Sequence, residues 1–80
     1  MNGVDYSAVI DVVCRIGGLE TLHPDQDFYD AGVTSVMALP LLLEMEDQFG
    51  VSIPDDRFIQ ARTVRALCSV IGELRSEPNA

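Results

Sequence analysis

The sequence predicts an all-α fold, a four-helix bundle with a short third helix and a long loop between helices one and two. Three observations point there. Eighty residues fill one domain and leave no room for a second. The chain is 48% hydrophobic with no Trp and only 6% aromatic residues, so the interior is built from Val, Leu, Ile, Met and a few Phe, which favours packed helices. Apolar residues also recur at steps of three and four in separate stretches that glycines and prolines punctuate. One domain is expected over 1–80, with its core over about 5–75 and a flexible tail over 76–80.

The first helix is expected over 5–17. Asp5 or Ser7 caps it, Val9, Val12, Val13 and Ile16 form its buried face, and Gly17-Gly18 ends it. From Leu19 to Thr34 the helical period disappears, and Pro24, the acidic residues and Gly32 mark a long connection of the kind that usually serves a function. Phe28 and Tyr29 are the large apolar residues in its middle, so at least one plugs into the core. Gly32 permits a backbone turn closed to other residues.

Helix two is expected over 35–49, capped by Thr34 or Ser35 and stopped by Gly50. Ala38, Leu41, Leu42, Met45 and Phe49 form its core stripe. On the opposite side Val36, Pro40, Leu43 and Asp47 align, placing apolar residues where a solvated helix carries charge, which suggests a surface reserved for a partner. Pro40 lacks the N–H that bonds back to Val36 and is expected to loosen or kink the helix just after Ser35. Val51 to Pro54 reads as an extended linker with Ile53 anchored inward. Asp55 to Ile59 makes a short helical turn carrying Phe58. Thr63 caps the last helix, with Val64, Leu67, Ile71 and Leu74 inward and Arg62, Arg65 and Arg75 outward.

Charge excludes some functions. Thirteen acidic residues against five arginines and no lysine give a formal net charge of -8, the wrong sign for nucleic acid and the right one for proteins with basic docking surfaces. No signal peptide or membrane-length apolar run is evident, so a cytoplasmic monomer with no membrane partner is expected. Cys14 and Cys68 read as small buried hydrophobes, and His23 as a solvated surface residue. A calcium loop over Asp25, Asp27, Asp30 and Gly32 has the wrong spacing, with Tyr29 where an oxygen ligand belongs and Val36 where the closing Glu belongs. A hydrolase using Ser35 lacks a base in sequence. The chain therefore reads as no enzyme and no metal protein. The alternative to the function inferred below is a non-catalytic acidic protein-interaction module, with or without stabilisation by calcium.

The run Asp27-Phe28-Tyr29-Asp30-Ala31-Gly32-Val33-Thr34-Ser35, followed by a Leu-rich helix ending Glu46-Asp47-Gln48-Phe49-Gly50, resembles the acyl carrier protein family over almost the whole chain. Val51 to Asp56 and Thr63-Val64 also resemble that family's approaches to its third and last helices. Phe28, Gly32 and Ser35 occupy the family's loop Phe, its Gly and the serine that receives phosphopantetheine from coenzyme A. Two residues depart from the pattern: Thr34 stands where the family usually has Asp, and Pro40 where a helix-forming polar residue is common. Leu41-Leu42-Leu43-Glu44 is similar to the same stretch in some aminoacyl and D-alanyl carriers.

The resemblance implies a bundle of acyl-carrier type and a discrete carrier that holds an acyl or aminoacyl group as a thioester on the arm at Ser35. It implies visits from a phosphopantetheinyl transferase, a loading ligase for acyl or aminoacyl groups, and an acyltransferase or synthase with a basic surface, in a route of polyketide or nonribosomal peptide type. Val36, Met37 and Leu43 would supply apolar docking contacts, and Glu44, Glu46 and Asp47 would meet arginines on the visiting enzyme.

Overall fold

The computed structural model describes residues 5–76, which fold as α1 (Tyr6–Gly17), α2 (Ser35–Phe49), α3 (Asp55–Gln60) and α4 (Val64–Ser76), with no strand among them. The tail expected over 76–80 lies outside the described residues save for the backbone of Ser76. α1 packs on both α2 and α4, and α3 on α4. Among the described residues no helix is long and apolar enough to cross a membrane.

Local chemistry sets each boundary. Asp5 caps α1, its Oδ1 accepting the Ser7 N–H at 2.9 Å. Gly18 ends it in the left-handed region at φ 70, and Gly50 ends α2 in the same way at φ 67. Thr63 caps α4 by accepting the Ala66 N–H on Oγ1 at 3.1 Å.

The buried stripes interlock at the centre. Val9, Val12 and Val13 of α1 meet Leu41, Leu42 and Met45 of α2 and Val64, Leu67 and Ile71 of α4 in one core, to which α3 adds Phe58 and the linker adds Ile53. Ile16, expected on the buried face, is only partly covered. Pro40, expected to loosen or kink α2, stands inside a helix that spans Ser35 to Phe49. Lacking an N–H, it leaves the Val36 carbonyl without its usual donor four residues on.

The long loop is anchored at three points, Leu22, Phe28 and Val33, all buried. Phe28 is the expected plug. Tyr29 stays half-buried with its ring tilted against Phe28, 4.9 Å between centroids. Arg62 and Arg65 face outward as expected, yet they are not free. Arg62 pairs with Asp27 at 2.7 Å, and Arg65 grips Asp25 through two N–H groups while also donating to the Tyr6 hydroxyl. Two backbone bonds reinforce the junction: Phe28 N–H to the Arg62 carbonyl and Arg65 N–H to the Pro24 carbonyl, both at 3.0 Å.

Candidate functional site

The loop delivers Ser35 to the surface in a few tightly specified steps. Asp27 Oδ1 accepts the N–H groups of Tyr29 and Asp30 at 2.8 and 3.2 Å, closing a turn just beyond the Phe28 plug. Gly32 N–H then bonds the Tyr29 carbonyl and Val33 N–H the Phe28 carbonyl, so the chain folds back on itself. Gly32 adopts φ 131, closed to ordinary side chains, and a Cβ there would sit 3.3 Å from a Leu19 methyl. Val33 dives into the core, Thr34 is extended at φ -99 and ψ 166, and Ser35 opens α2 on the outside.

Ser35 is exposed, and among the described residues its hydroxyl has no hydrogen-bond partner. Among the described residues no side chain makes the hydrogen bond to it by which a base activates a serine. Thr34 occupies the cap position, but its side chain makes no capping bond, and the first turn of α2 holds no acidic residue. The helix thus presents its N-terminal N–H groups without a side-chain cap and with no acidic residue in its first turn.

Beside Ser35 the surface is apolar to an unusual degree. Val36 is 84% exposed, Leu39 61% and Leu43 54%, and Ile59 of α3 is 64% exposed, so four large apolar side chains face water on one side of the α2 and α3 pair. Met37, expected among them, is half-buried and packs on the core. A groove of about 190 Å³ runs between the two helices, lined by Ala38, Leu39, Leu42, Asp55, Phe58 and Ile59. That is below the roughly 300 Å³ at which small-molecule pockets begin.

The acidic residues divide into two kinds. Glu46 accepts the Ile53 N–H at 2.8 Å and so holds the linker after α2, and Glu44 pairs with Arg15 at 3.4 Å. Asp47, Asp55 and Asp56 are exposed and among the described residues have no side-chain partner. Arg57 is engaged with Glu73.

The Asp-rich loop is accounted for by its arginines. Hydrogen bonds from Arg65 and Arg62 hold the Asp25 and Asp27 carboxyls below the ordinary range, and both acids are spent on those contacts. Among the described residues no group of three or more His, Cys, Asp or Glu side chains is arranged to hold a metal ion. His23 is exposed, and its Nδ1 accepts the Asp25 N–H at 3.2 Å. Cys14 and Cys68 are free thiols, the first half-buried and the second buried.

A family model described as a phosphopantetheine attachment site matches residues 7–71, a span that runs from the first turn of α1 into α4 and includes the whole Ser35 turn. The chain belongs to that family. It is a phosphopantetheine-binding carrier domain, and its cofactor is covalently attached phosphopantetheine. Such carrier domains are generally non-catalytic and work with synthase or ligase partners. The domain is 29% identical over 72 residues to Clavatol synthase claF of Penicillium crustosum, covering 86% of this chain and 3% of that protein. It is 28% identical over 61 residues to Malformin synthetase mlfA of Aspergillus niger, covering 76% of this chain and 1% of that protein. The chain therefore spans only a few per cent or less of the length of these relatives.

The residues present fit the cofactor. A phosphodiester joined to the Ser35 oxygen would face uncapped N–H donors and no acidic residue in the first turn of α2. Sequence reasoning missed Leu39 and Ile59 as exposed apolar residues. Leu39 lies one helical step from Val36 and Leu43 and was available to the same spacing rule. Ile59 becomes their neighbour only through tertiary packing.

Proposed function

We propose that Ser35 is the residue that receives phosphopantetheine and that the chain acts as a discrete monomeric carrier, passing an acyl or aminoacyl group between enzymes of a polyketide or nonribosomal peptide type of route. The observation that carries this reading is the unpartnered Ser35 hydroxyl at the exposed start of α2, presented by a turn that Phe28 and Val33 anchor in the core. The arm supplies a thiol that holds the cargo as a thioester. The chain's own residues orient the attachment point and offer the surface that visiting enzymes meet. That the relatives bear the names synthase and synthetase agrees with a place in stepwise assembly.

Docking uses Val36 and Leu43, extended by Leu39 and Ile59, as its apolar centre. Asp47 lies on the rim with Asp55 and Asp56, while Glu44 and Glu46 contribute charge although each already holds a partner on this chain. Met37 adds only its exposed part. A small apolar patch ringed by one sign of charge suits fast, salt-sensitive association with a basic partner and easy release. The same charge opposes pairing of two copies through this face, which supports the monomer.

Incubation with coenzyme A and a broad phosphopantetheinyl transferase, read by intact mass, tests the reading. Wild type is expected to gain one arm and Ser35→Ala none. An arm on the Ala variant, or none on wild type, overturns the assignment. With the loaded protein, Leu39→Asp and Ile59→Asp are expected to slow cargo transfer to a partner synthase without altering the fold.

A further inference from the structure

The turn that presents Ser35 hangs from a residue in another part of the chain. Asp27 uses one carboxylate oxygen to close the loop turn on the Tyr29 and Asp30 N–H groups and the other to take Arg62 Nε at 2.7 Å. The Arg62 guanidinium also lies 4.8 Å from the centre of the Tyr29 ring, and its own carbonyl receives the Phe28 N–H at 3.0 Å. From Phe28 the path to Ser35 is short, because the Val33 N–H bonds the Phe28 carbonyl. Arg62 is exposed and stands between α3 and α4, so its charge does not serve the core.

We infer that Asp27 and Arg62 are positioning residues for the attachment reaction, clamping the Phe28 to Val33 turn in the form that a transferase recognises. This rests on the reading of Ser35 as the attachment residue. Neither side chain touches the hydroxyl; they act through the backbone that carries it. If only the clamped turn is competent, the apparent affinity of the transferase for the carrier scales with the clamped fraction, while turnover of the bound complex does not change. Loss of the clamp therefore appears in KM and not in kcat.

The variants are Arg62→Gln and Asp27→Asn, with Arg57→Gln as a control that breaks an ion pair elsewhere. Asp27→Asn keeps an oxygen for the Tyr29 and Asp30 N–H groups and turns the acceptor that faces Arg62 into an uncharged donor, so it retains the local turn even if Arg62→Gln folds poorly. Each protein is compared below its melting transition by amide hydrogen exchange and by transferase kinetics with coenzyme A. Both clamp variants are expected to raise KM for the carrier about three- to tenfold with kcat within about twofold, and to speed exchange at Val33. Arg62→Lys, which restores the charge without the planar guanidinium, is expected to recover part of the loss.

Unchanged Val33 exchange in both clamp variants overturns the inference whether or not any arm is attached. So does an unchanged KM, or an equal rise in the Arg57→Gln control. Failure of wild type itself to accept the arm is a different result, since it removes the Ser35 reading and this inference with it.

Discussion

Replacing Phe28 by Ala removes the plug that ties the long loop to the bundle, and the cost can be worked out from its surroundings. The ring is fully buried in a core shared with α1, α2 and α4, so its loss resembles that of a core Phe, about 3–5 kcal/mol. A chain of 80 residues has about 4–12 kcal/mol of total stability, so the change takes a quarter or more of it. Phe28→Leu is expected to cost about 2 kcal/mol for the ring carbons lost. Equilibrium urea unfolding followed by helical circular dichroism measures both. With a slope near 1 kcal/mol per molar urea, suited to a domain this small, the Ala variant's midpoint should fall by about 3–5 M and the Leu variant's by about 2 M. Tyr29→Ala, which removes a half-exposed ring, should shift it far less. A Phe28→Ala loss under about 1 kcal/mol, or one matched by Tyr29→Ala, would show that the loop is not packed as core and would refute the reasoning.

Other perturbations follow from single contacts. Gly17→Ala places a Cβ 2.9 Å from a methyl of buried Val33, so overpacking should outweigh the gain in helix propensity; the expected net loss is about 1 kcal/mol, with amide shifts at Val33 to Ser35 in the NMR spectrum. Pro40→Ala restores a donor for the Val36 carbonyl at an exposed position and should stabilise the fold by about 1–3 kcal/mol in the same urea assay; a lower midpoint would contradict it. Hydrogen bonds from Arg65 and Arg62 depress the Asp25 and Asp27 carboxyls. Their stabilisation is therefore complete above the unfolded value of about 4 and is lost as pH falls through the lower folded values. Melting temperature should hold steady from neutral pH to about 5 and drop below about 4, and the Asp25→Asn and Asp27→Asn double variant should flatten that drop.

The helices were legible because their signals are local. Asp5, Gly18, Thr63 and Gly50 act on backbone groups within a few residues, and the stripes of α1, α2 and α4 follow from spacing alone. The place of Ser35 at the exposed start of α2 was also legible, while its proposed role as attachment point came from resemblance and not from periodicity. The loop was not. Asp27 and Arg62 are 35 residues apart and Asp25 and Arg65 are 40 apart, so no local pattern reveals that the acids are held by arginines and not free for a cation. The second contact of Glu46 was hidden in the same way, since its carboxylate reaches forward seven residues to the Ile53 N–H. Pro40 removes one bond from a helix whose other face is packed by Leu41, Leu42 and Met45, so the helix continues to Phe49.

Cys68 lies buried in the core, and desolvation raises its thiol to about 11; Cys14 is raised as well, by burial and the neighbouring Asp11. The nucleophile in thioester exchange is the thiolate, and at neutral pH a group with that value is ionised in roughly one molecule in ten thousand. In the proposed carrier this keeps Cys68 from competing for the cargo. A thioester held on the arm would find no competent acceptor in that buried thiol, and capture by another enzyme's thiol would not have to race it.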